Sequence, residues 1–181
     1  MDKIKTTEGD LIVRDARFGI VASRFNDFIV DSLLKASVRC LQKHGAADAD
    51  IEIVRVPGAF EMPLMVDKLA SSRRFDGIVA LGCVIRGRTS HYDVVVEQSA
   101  NGLMLLGLQG LCIGNGIITV ENMEQAEERA DADRLDSAGG AAAAALHLIA
   151  LARRFGGKRK AVGFTPGEYQ IAGDGDGPST A

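Results

Sequence analysis

The chain has 181 residues, of which 46% are hydrophobic and 25% charged, and this is enough for one domain with a sizeable core. Its formal net charge of −3 excludes a broad attraction to nucleic acid or anionic membranes, although a small basic pocket remains compatible with it. The first ten residues are polar, and no apolar run approaches the roughly 20 residues of a membrane helix. We therefore expect a cytoplasmic protein without nucleic-acid or membrane partners.

The three cysteines, Cys40, Cys83 and Cys112, lie inside apolar runs. Their number is odd, and they have no metal-ligand spacing with the three histidines. This pattern is typical of reduced core residues in a reducing compartment, with no metal site.

Strand and helix patterns alternate along most of the chain. Apolar, β-branched runs predict four strands, and apolar residues at helical spacing predict the helices between them. The predicted order is strand 18–22, helix 28–44, strand 51–56, helix 60–70, strand 77–85, a helix containing Val94 to Leu106, strand 111–119, and helices near 123–130 and 141–155. Because these strands are apolar on both faces, the pattern indicates an α/β fold with a four-stranded parallel sheet between two helical layers.

The last part of the chain differs in composition. Residues 157–181 are Gly-rich and polar, with a basic cluster at 158–160. Too little apolar content is present there to pack as a second domain. We expect a single domain over residues 1–156 and a flexible tail over 157–181.

Ligands of such sheets bind beyond the carboxyl ends of the strands. The loops expected there are 24–26, 57–61, 87–91 and 115–116. The stretch at 86–91, Arg-Gly-Arg-Thr-Ser-His, combines guanidinium groups, hydroxyls and a permissive glycine at a helix start, where backbone N–H groups can hold a phosphate. His91 could move protons beside that phosphate, although a solvated histidine in a polar helix cap is an equally good interpretation.

Other candidates are weaker when taken alone. Phe25 and Phe60 could stack on a planar heterocycle, and Glu61 could accept hydrogen bonds from hydroxyls. Phe60 could equally pack against its helix entry as a hydrophobic staple. His44 and His147 lie in helical contexts and are expected to be structural, and Arg129 follows two glutamates, which is typical of a solvated face.

Four segments resemble lumazine synthases in order and spacing. They read SRFN at 23–26, VPGAFEMP at 56–63, LGCVIRGRTSHYD at 81–93 and NGIITVEN at 115–122, and the match continues with EQA at 124–126 and ERA at 128–130. The resemblance covers roughly residues 18–155. It implies a flavodoxin-like, three-layer αβα sandwich, a homopentamer with active sites shared between neighbours, and no cofactor or metal.

The activity implied by the resemblance is a condensation in riboflavin biosynthesis. 5-Amino-6-(D-ribitylamino)uracil would react with 3,4-dihydroxy-2-butanone 4-phosphate to give 6,7-dimethyl-8-ribityllumazine, with release of phosphate and water. His91 would be the catalytic acid or base. The residues implied to bind substrate are Phe25 at the pyrimidinedione ring, Ala59, Phe60 and Glu61 at the ribityl chain, Cys83, Val84 and Ile85 at the ring through backbone, Gly87, Arg88 and Thr89 at the phosphate, and Asn115 and Arg129 in a neighbour's site.

The chain also departs from the family pattern. Arg88 stands where a small or acidic residue is frequent, and Asn115 where many members have phenylalanine. The stretch 133–140 lacks the lysine that many relatives place before its glycines. We hypothesise that Arg88 compensates for this lysine.

Two other functions remain open at this level. The missing lysine is compatible with a catalytically impaired relative that binds flavin or lumazine or forms a shell. The four alternating units alone are compatible with a generic nucleotide-binding module, but no G-x-G-x-x-G or G-x-x-x-x-G-K-[ST] pattern follows a strand. The length of the 131–137 connection favours a free pentamer or a pair of pentamers over an icosahedral shell.

Overall fold

The structure is a computed structural model that describes residues 4–156. The predicted tail at 157–181 and its basic cluster lie outside the described residues. The elements are β1 (Phe18–Ser23), α1 (Asp27–Lys43), a 3-10 turn (Asp48–Asp50), β2 (Ile51–Val56), α2 (Met62–Ser71), β3 (Gly77–Ile85), α3 (His91–Leu108), β4 (Ile113–Val120), α4 (Met123–Ala130) and α5 (Ser137–Phe155).

The four strands form one parallel sheet in the order β2-β1-β3-β4. Phe18 at the start of β1 lies opposite Ile51 of β2 and Gly77 of β3, so the three strands begin in step, and β3 then extends beyond the ends of β1 and β2. This register brings their carboxyl ends to one edge of the sheet. The predicted fold class, an α/β sandwich with a four-stranded parallel sheet, is confirmed.

Helices cover the sheet on both faces and enclose two apolar cores. On one face α1, α4 and α5 pack over side chains such as Ile20, Val79 and Ile118. On the other face α2 and α3 pack over Val21 and Ala80. All six residues of β1 are buried, because β1 is an inner strand with helices above and below it.

The start of α5 differs from the sequence prediction. The helix begins at Ser137, four residues before the predicted Ala141. Asp136 adopts a left-handed conformation with φ of 42°, and its Oδ1 accepts a hydrogen bond from Gly139 N at 3.0 Å. This carboxylate cap satisfies a first-turn N–H group, so helix formation begins before the alanine run.

The two histidines expected to be structural each contact a backbone polar group. His44 Nδ1 lies 2.8 Å from the carbonyl oxygen of Cys40, one turn earlier in α1. His147 Nε2 accepts from Gly9 N at 3.5 Å and so contacts the N-terminal segment.

The composition of the helices agrees with packing around a sheet. None of those found in residues 4–156 is long and apolar enough to cross a membrane.

Candidate active site

Three loops meet at the carboxyl ends of β1, β2 and β3 and enclose a cleft of about 600 Å³. Each loop supplies residues that the sequence analysis predicted for the site. The lining includes Phe25, Ala59, Phe60, Glu61, Cys83, Val84, Ile85, Gly87, Thr89 and His91. A second hollow of about 360 Å³ lies between α1 and α4, and none of the predicted site residues lines it.

The loop after β1 presents Phe25 to the cleft. Phe25 N donates to Pro57 O at 3.0 Å, and Arg24 N donates to Val56 O at 2.8 Å, so this loop is bound to the end of β2. The Phe25 side chain is 74% exposed. An aromatic residue that is held by its backbone and largely exposed is suited to stacking on a planar ligand.

Asn26 ties the same loop to β3. Its Nδ2 donates to the carbonyl oxygen of Cys83 at 2.9 Å. Its backbone is left-handed, with φ of 57° and ψ of 44°, a conformation that asparagine tolerates better than most residues. Asn26 thereby sets the distance between two walls of the cleft.

The loop after β2 forms a tight turn around Glu61. The carboxylate oxygen Oε2 of Glu61 accepts from Gly58 N at 2.9 Å, which leaves Oε1 for another donor. Ala59 is buried, whereas Phe60 is 54% exposed and lines the cleft. This exposure favours a Phe60 ring that is available to a ligand over one packed as a hydrophobic staple.

The end of β3 forms the floor of the cleft. Cys83 is buried, and burial raises the pKa of its thiol to about 11. The thiol stays protonated near neutral pH, so Cys83 contributes shape and a backbone carbonyl rather than a nucleophile.

The loop from β3 to α3 closes the remaining side. Gly87, Thr89 and His91 line the cleft. Within residues 4–156 no side chain caps the start of α3, and the hydroxyl contact there is a long one, from His91 N to Thr89 Oγ1 at 3.4 Å. A helix start without a side-chain cap retains N–H groups that can bind an anion.

The two arginines of this loop have different surroundings. Arg86 is paired with Glu121 and Asp93, and the hydrogen bonds that it donates to these two carboxylates raise the pKa of Arg86. Arg88 is exposed and makes no ion pair within residues 4–156. Of the two guanidinium groups in this loop, only that of Arg88, the one proposed for phosphate, is unpaired in the described part of the chain.

Three predicted site residues do not line this cleft: Arg88, Asn115 and Arg129. The expectation that Asn115 lies in a loop after a strand is wrong, because it lies inside β4 opposite Ala80. The apolar residues around Asn115 pair with β3, and this pairing overrides the turn tendency of Asn-Gly. Asn115 Oδ1 accepts from Ile117 N at 3.0 Å, and the residue is exposed on an edge strand. Arg129 is exposed on α4.

Several lining residues were not predicted as site residues. They are Asn26, Pro57, Gly58, Tyr92, Val94 and Val95. Asn26 lies in the segment 23–26 beside Phe25, and Tyr92 lies in the segment 81–93 beside His91. Their position next to a predicted site residue was the signal that could have identified them. Val94 was assigned to a helix by its spacing, yet it is 49% exposed and faces the cleft.

Comparison with known proteins gives a consistent result. A family model described as 6,7-dimethyl-8-ribityllumazine synthase matches residues 15–153. A protein of that name from Jannaschia sp. (strain CCS1) is 52% identical over 169 residues, which cover 93% of this chain and 92% of the relative. Relatives of the same name from Nitratidesulfovibrio vulgaris (strain DP4) and Chlorobium phaeobacteroides (strain DSM 266 / SMG 266 / 2430) are 48% and 41% identical, over 81% and 84% of this chain and 94% and 99% of their own lengths.

Proposed function

The chain belongs to the 6,7-dimethyl-8-ribityllumazine synthase family and is an enzyme of riboflavin biosynthesis, and on that premise we propose that the cleft described above is its active site. The observation that carries this proposal is the convergence of three motif segments, at 23–26, 56–63 and 81–93, on one cleft. The alternative of a family member that has lost turnover is not favoured, because the relatives share the synthase name across several species.

The apolar end of the cleft is proposed to bind 5-amino-6-(D-ribitylamino)uracil. Phe25 would stack on the pyrimidinedione ring, supported by its exposure and fixed backbone. The backbone of Cys83, Val84 and Ile85 would meet the edge of the ring. Ala59 and Phe60 would line the ribityl chain, and Glu61 Oε1, which is not engaged by Gly58, would accept from a ribityl hydroxyl.

The opposite end is proposed to hold the phosphate of 3,4-dihydroxy-2-butanone 4-phosphate. Gly87 and Thr89 line the cleft beside the uncapped start of α3, where N–H groups and the helix dipole favour an anion. Arg88 would add positive charge, and this supports the hypothesis that it compensates for the missing lysine. An Arg88→Ala variant with unchanged affinity for the sugar phosphate would refute that compensation.

His91 is the proposed catalytic acid or base. The amine of the pyrimidinedione would attack the ketone, an imine would form with loss of one water, phosphate would leave, and the ring would close with loss of a second water. His91 lies at the first position of α3 and lines the cleft, so it can donate a proton to a bound substrate or accept one from it. Alignment of the two substrates is expected to supply much of the acceleration, with a smaller factor from proton transfer.

A homopentamer with shared sites is proposed as the working assembly, in the cytoplasm. Exposed apolar side chains on α2 and α3, including Leu64, Met104, Leu105 and Leu108, support burial of this face against a neighbour. Arg129 and Asn115 do not line the cleft of their own chain, and this supports their placement in a neighbour's site, with Arg129 facing the phosphate. The catalytic domain is proposed to span residues 1–156.

The direct test mixes the purified protein with both substrates and follows lumazine absorbance above the uncatalysed rate. We expect saturating kinetics that fall about 10²-fold or more in an Arg129→Ala variant and less in His91→Ala. Arg134→Ala is a matched control, because Arg134 is a neighbouring exposed arginine that pairs with Glu128 at 3.1 Å. No rate above background in the wild type, with ligand still bound, would contradict catalysis.

A further inference from the structure

Arg86 forms the centre of a side-chain cluster that the proposed function does not use. The cluster comprises Arg86, Tyr92, Asp93 and Glu121, and we refer to it as the Arg86 cluster. Arg86 Nε lies 2.9 Å from Glu121 Oε2, and its Nη1 lies 3.0 Å from Asp93 Oδ1. The guanidinium carbon lies 3.9 Å from the centre of the Tyr92 ring.

These contacts connect three elements at the rim of the cleft. Arg86 directly follows β3, and its backbone N donates to Val120 O at 2.9 Å, so it continues the pairing of β3 with β4. Glu121 directly follows β4, whereas Tyr92 and Asp93 lie in the first turn of α3. One guanidinium group therefore joins two strand ends to the start of a helix.

The hydroxyl groups of the preceding loop hold the start of α3 only weakly. Ser90 precedes the helix without forming a side-chain cap, and the hydroxyl contact of Thr89 to His91 N is long, at 3.4 Å. A guanidinium group has a rigid, planar donor arrangement, so two carboxylates and a ring face fix its orientation. The Arg86 cluster thus supplies side-chain contacts between the first turn of α3 and the ends of β3 and β4.

We propose that Arg86 is a positioning residue that holds the His91 turn against the ends of β3 and β4 in the reacting geometry. The inference rests on the proposed role of His91. Arg86 does not line the cleft, so it acts through the turn rather than on the substrate. Its partners are largely exposed, and exposed ion pairs contribute little to stability, so the effect should appear in turnover rather than in folding.

The chain contains a matched control for this residue. Arg74 pairs with both carboxylate oxygens of Glu52, at 2.8 and 3.1 Å, and its guanidinium carbon lies 4.9 Å from the centre of the Phe75 ring. It has the same chemistry and similar exposure, but it does not line the cleft or lie beside His91. Arg74→Ala therefore measures the effect of losing a surface arginine cluster that does not contact the turn carrying His91.

The test compares Arg86→Ala, Arg86→Lys and Arg74→Ala in steady-state kinetics and thermal unfolding. We expect Arg86→Ala to lower kcat about tenfold, with KM of each substrate changed less than about twofold, because small displacements of a catalytic group affect turnover. Arg86→Lys should recover part of kcat, since an ammonium group can retain one carboxylate contact. Arg74→Ala should leave kcat unchanged and shift the unfolding temperature as much as Arg86→Ala.

A double-mutant cycle with His91→Ala separates the possible failures. If Arg86 acts through His91, then Arg86→Ala adds no further loss of kcat in the His91→Ala background. Equal losses in both backgrounds, or an unchanged kcat in Arg86→Ala, would overturn the positioning role while leaving the synthase activity intact. A wild type without lumazine formation, or a His91→Ala variant as active as wild type, would instead contradict the proposed function.

Discussion

Asn26 determines the shape of the cleft through its conformation and one hydrogen bond. The left-handed backbone turns the chain from β1 into α1, and the amide group binds the carbonyl oxygen of Cys83. Phe25 is presented to the cleft as a result. Asparagine suits both requirements, because it tolerates positive φ and carries a donor on a short side chain.

Two substitutions at this position separate backbone conformation from hydrogen bonding. Asn26→Gly keeps the left-handed conformation and loses the hydrogen bond, so we expect a loss of about 1 kcal/mol in the free energy of unfolding. Asn26→Ala should lose roughly 1–2 kcal/mol more, because its Cβ is strained at positive φ. Urea unfolding at equal protein concentration measures both, and equal stability of the two variants would contradict the strain argument.

The residue scale also shows what the sequence could and could not predict. Most residues that line the cleft lie within short contiguous motifs. The order of residues along the chain was therefore enough to place Phe25, Phe60 and His91 in loops that follow strands. The contacts that fix these motifs join distant parts of the chain, as between Asn26 and Cys83 or between Arg86 and Glu121. Such pairs depend on strand register, which the residues of a single strand do not determine.

At the scale of elements, the four strands and the α-helices of the described chain were predictable, because the strands are apolar, β-branched runs and the helices follow them with residues at helical spacing. The 3-10 turn at Asp48–Asp50 was not predicted. The interior of β4 was harder, since Ile113-Gly114-Asn115-Gly116 combines strand and turn tendencies. The structure shows why the glycines are there. The side of β4 that carries Gly114 lies against α5, and a Cβ on Gly114 would overlap the carbonyl oxygen of Ala141. The close approach of α5 to β4 therefore requires glycine at position 114. In the sequence, glycines placed there for packing look the same as glycines of a turn.

This packing argument predicts opposite effects for two glycine substitutions. Gly114→Ala should lower the free energy of unfolding by about 2 kcal/mol, because α5 must move away from the sheet. Gly140→Ala is the control: it lies on α5 with nothing within 4 Å of the added Cβ. Alanine favours the helix there, so we expect a gain of about 0.5 kcal/mol. Urea titrations of both variants provide the measurement, and a Gly114→Ala variant as stable as wild type would show that α5 does not pack this closely.

At the scale of the whole molecule, one chain provides an incomplete set of the expected site residues. The residues proposed to bind the pyrimidinedione ring and the start of α3 line one cleft. Arg129 is on α4, which packs with α1 on the face of the sheet opposite to α3. The fold of a single chain does not bring Arg129 to the lining of its own cleft. Closed rings of identical subunits can do so, because each interface places one surface of a chain against a different surface of the next.

Shared sites predict that two impaired variants partly restore each other's activity. In pentamers assembled from equal amounts of His91→Ala and Arg129→Ala chains, about a quarter of the sites combine an intact His91 with an intact Arg129 from the neighbour. We expect activity to recover toward that fraction after joint refolding or co-expression, with mixed pentamers verified by native mass spectrometry. Phe25→Ala mixed with His91→Ala is the control, because both residues line the cleft of one chain and no mixed site regains both. Mixed pentamers of the first pair without recovered activity would place Arg129 outside its neighbour's site, and the phosphate would then have to be held by Arg88 and the start of α3 alone.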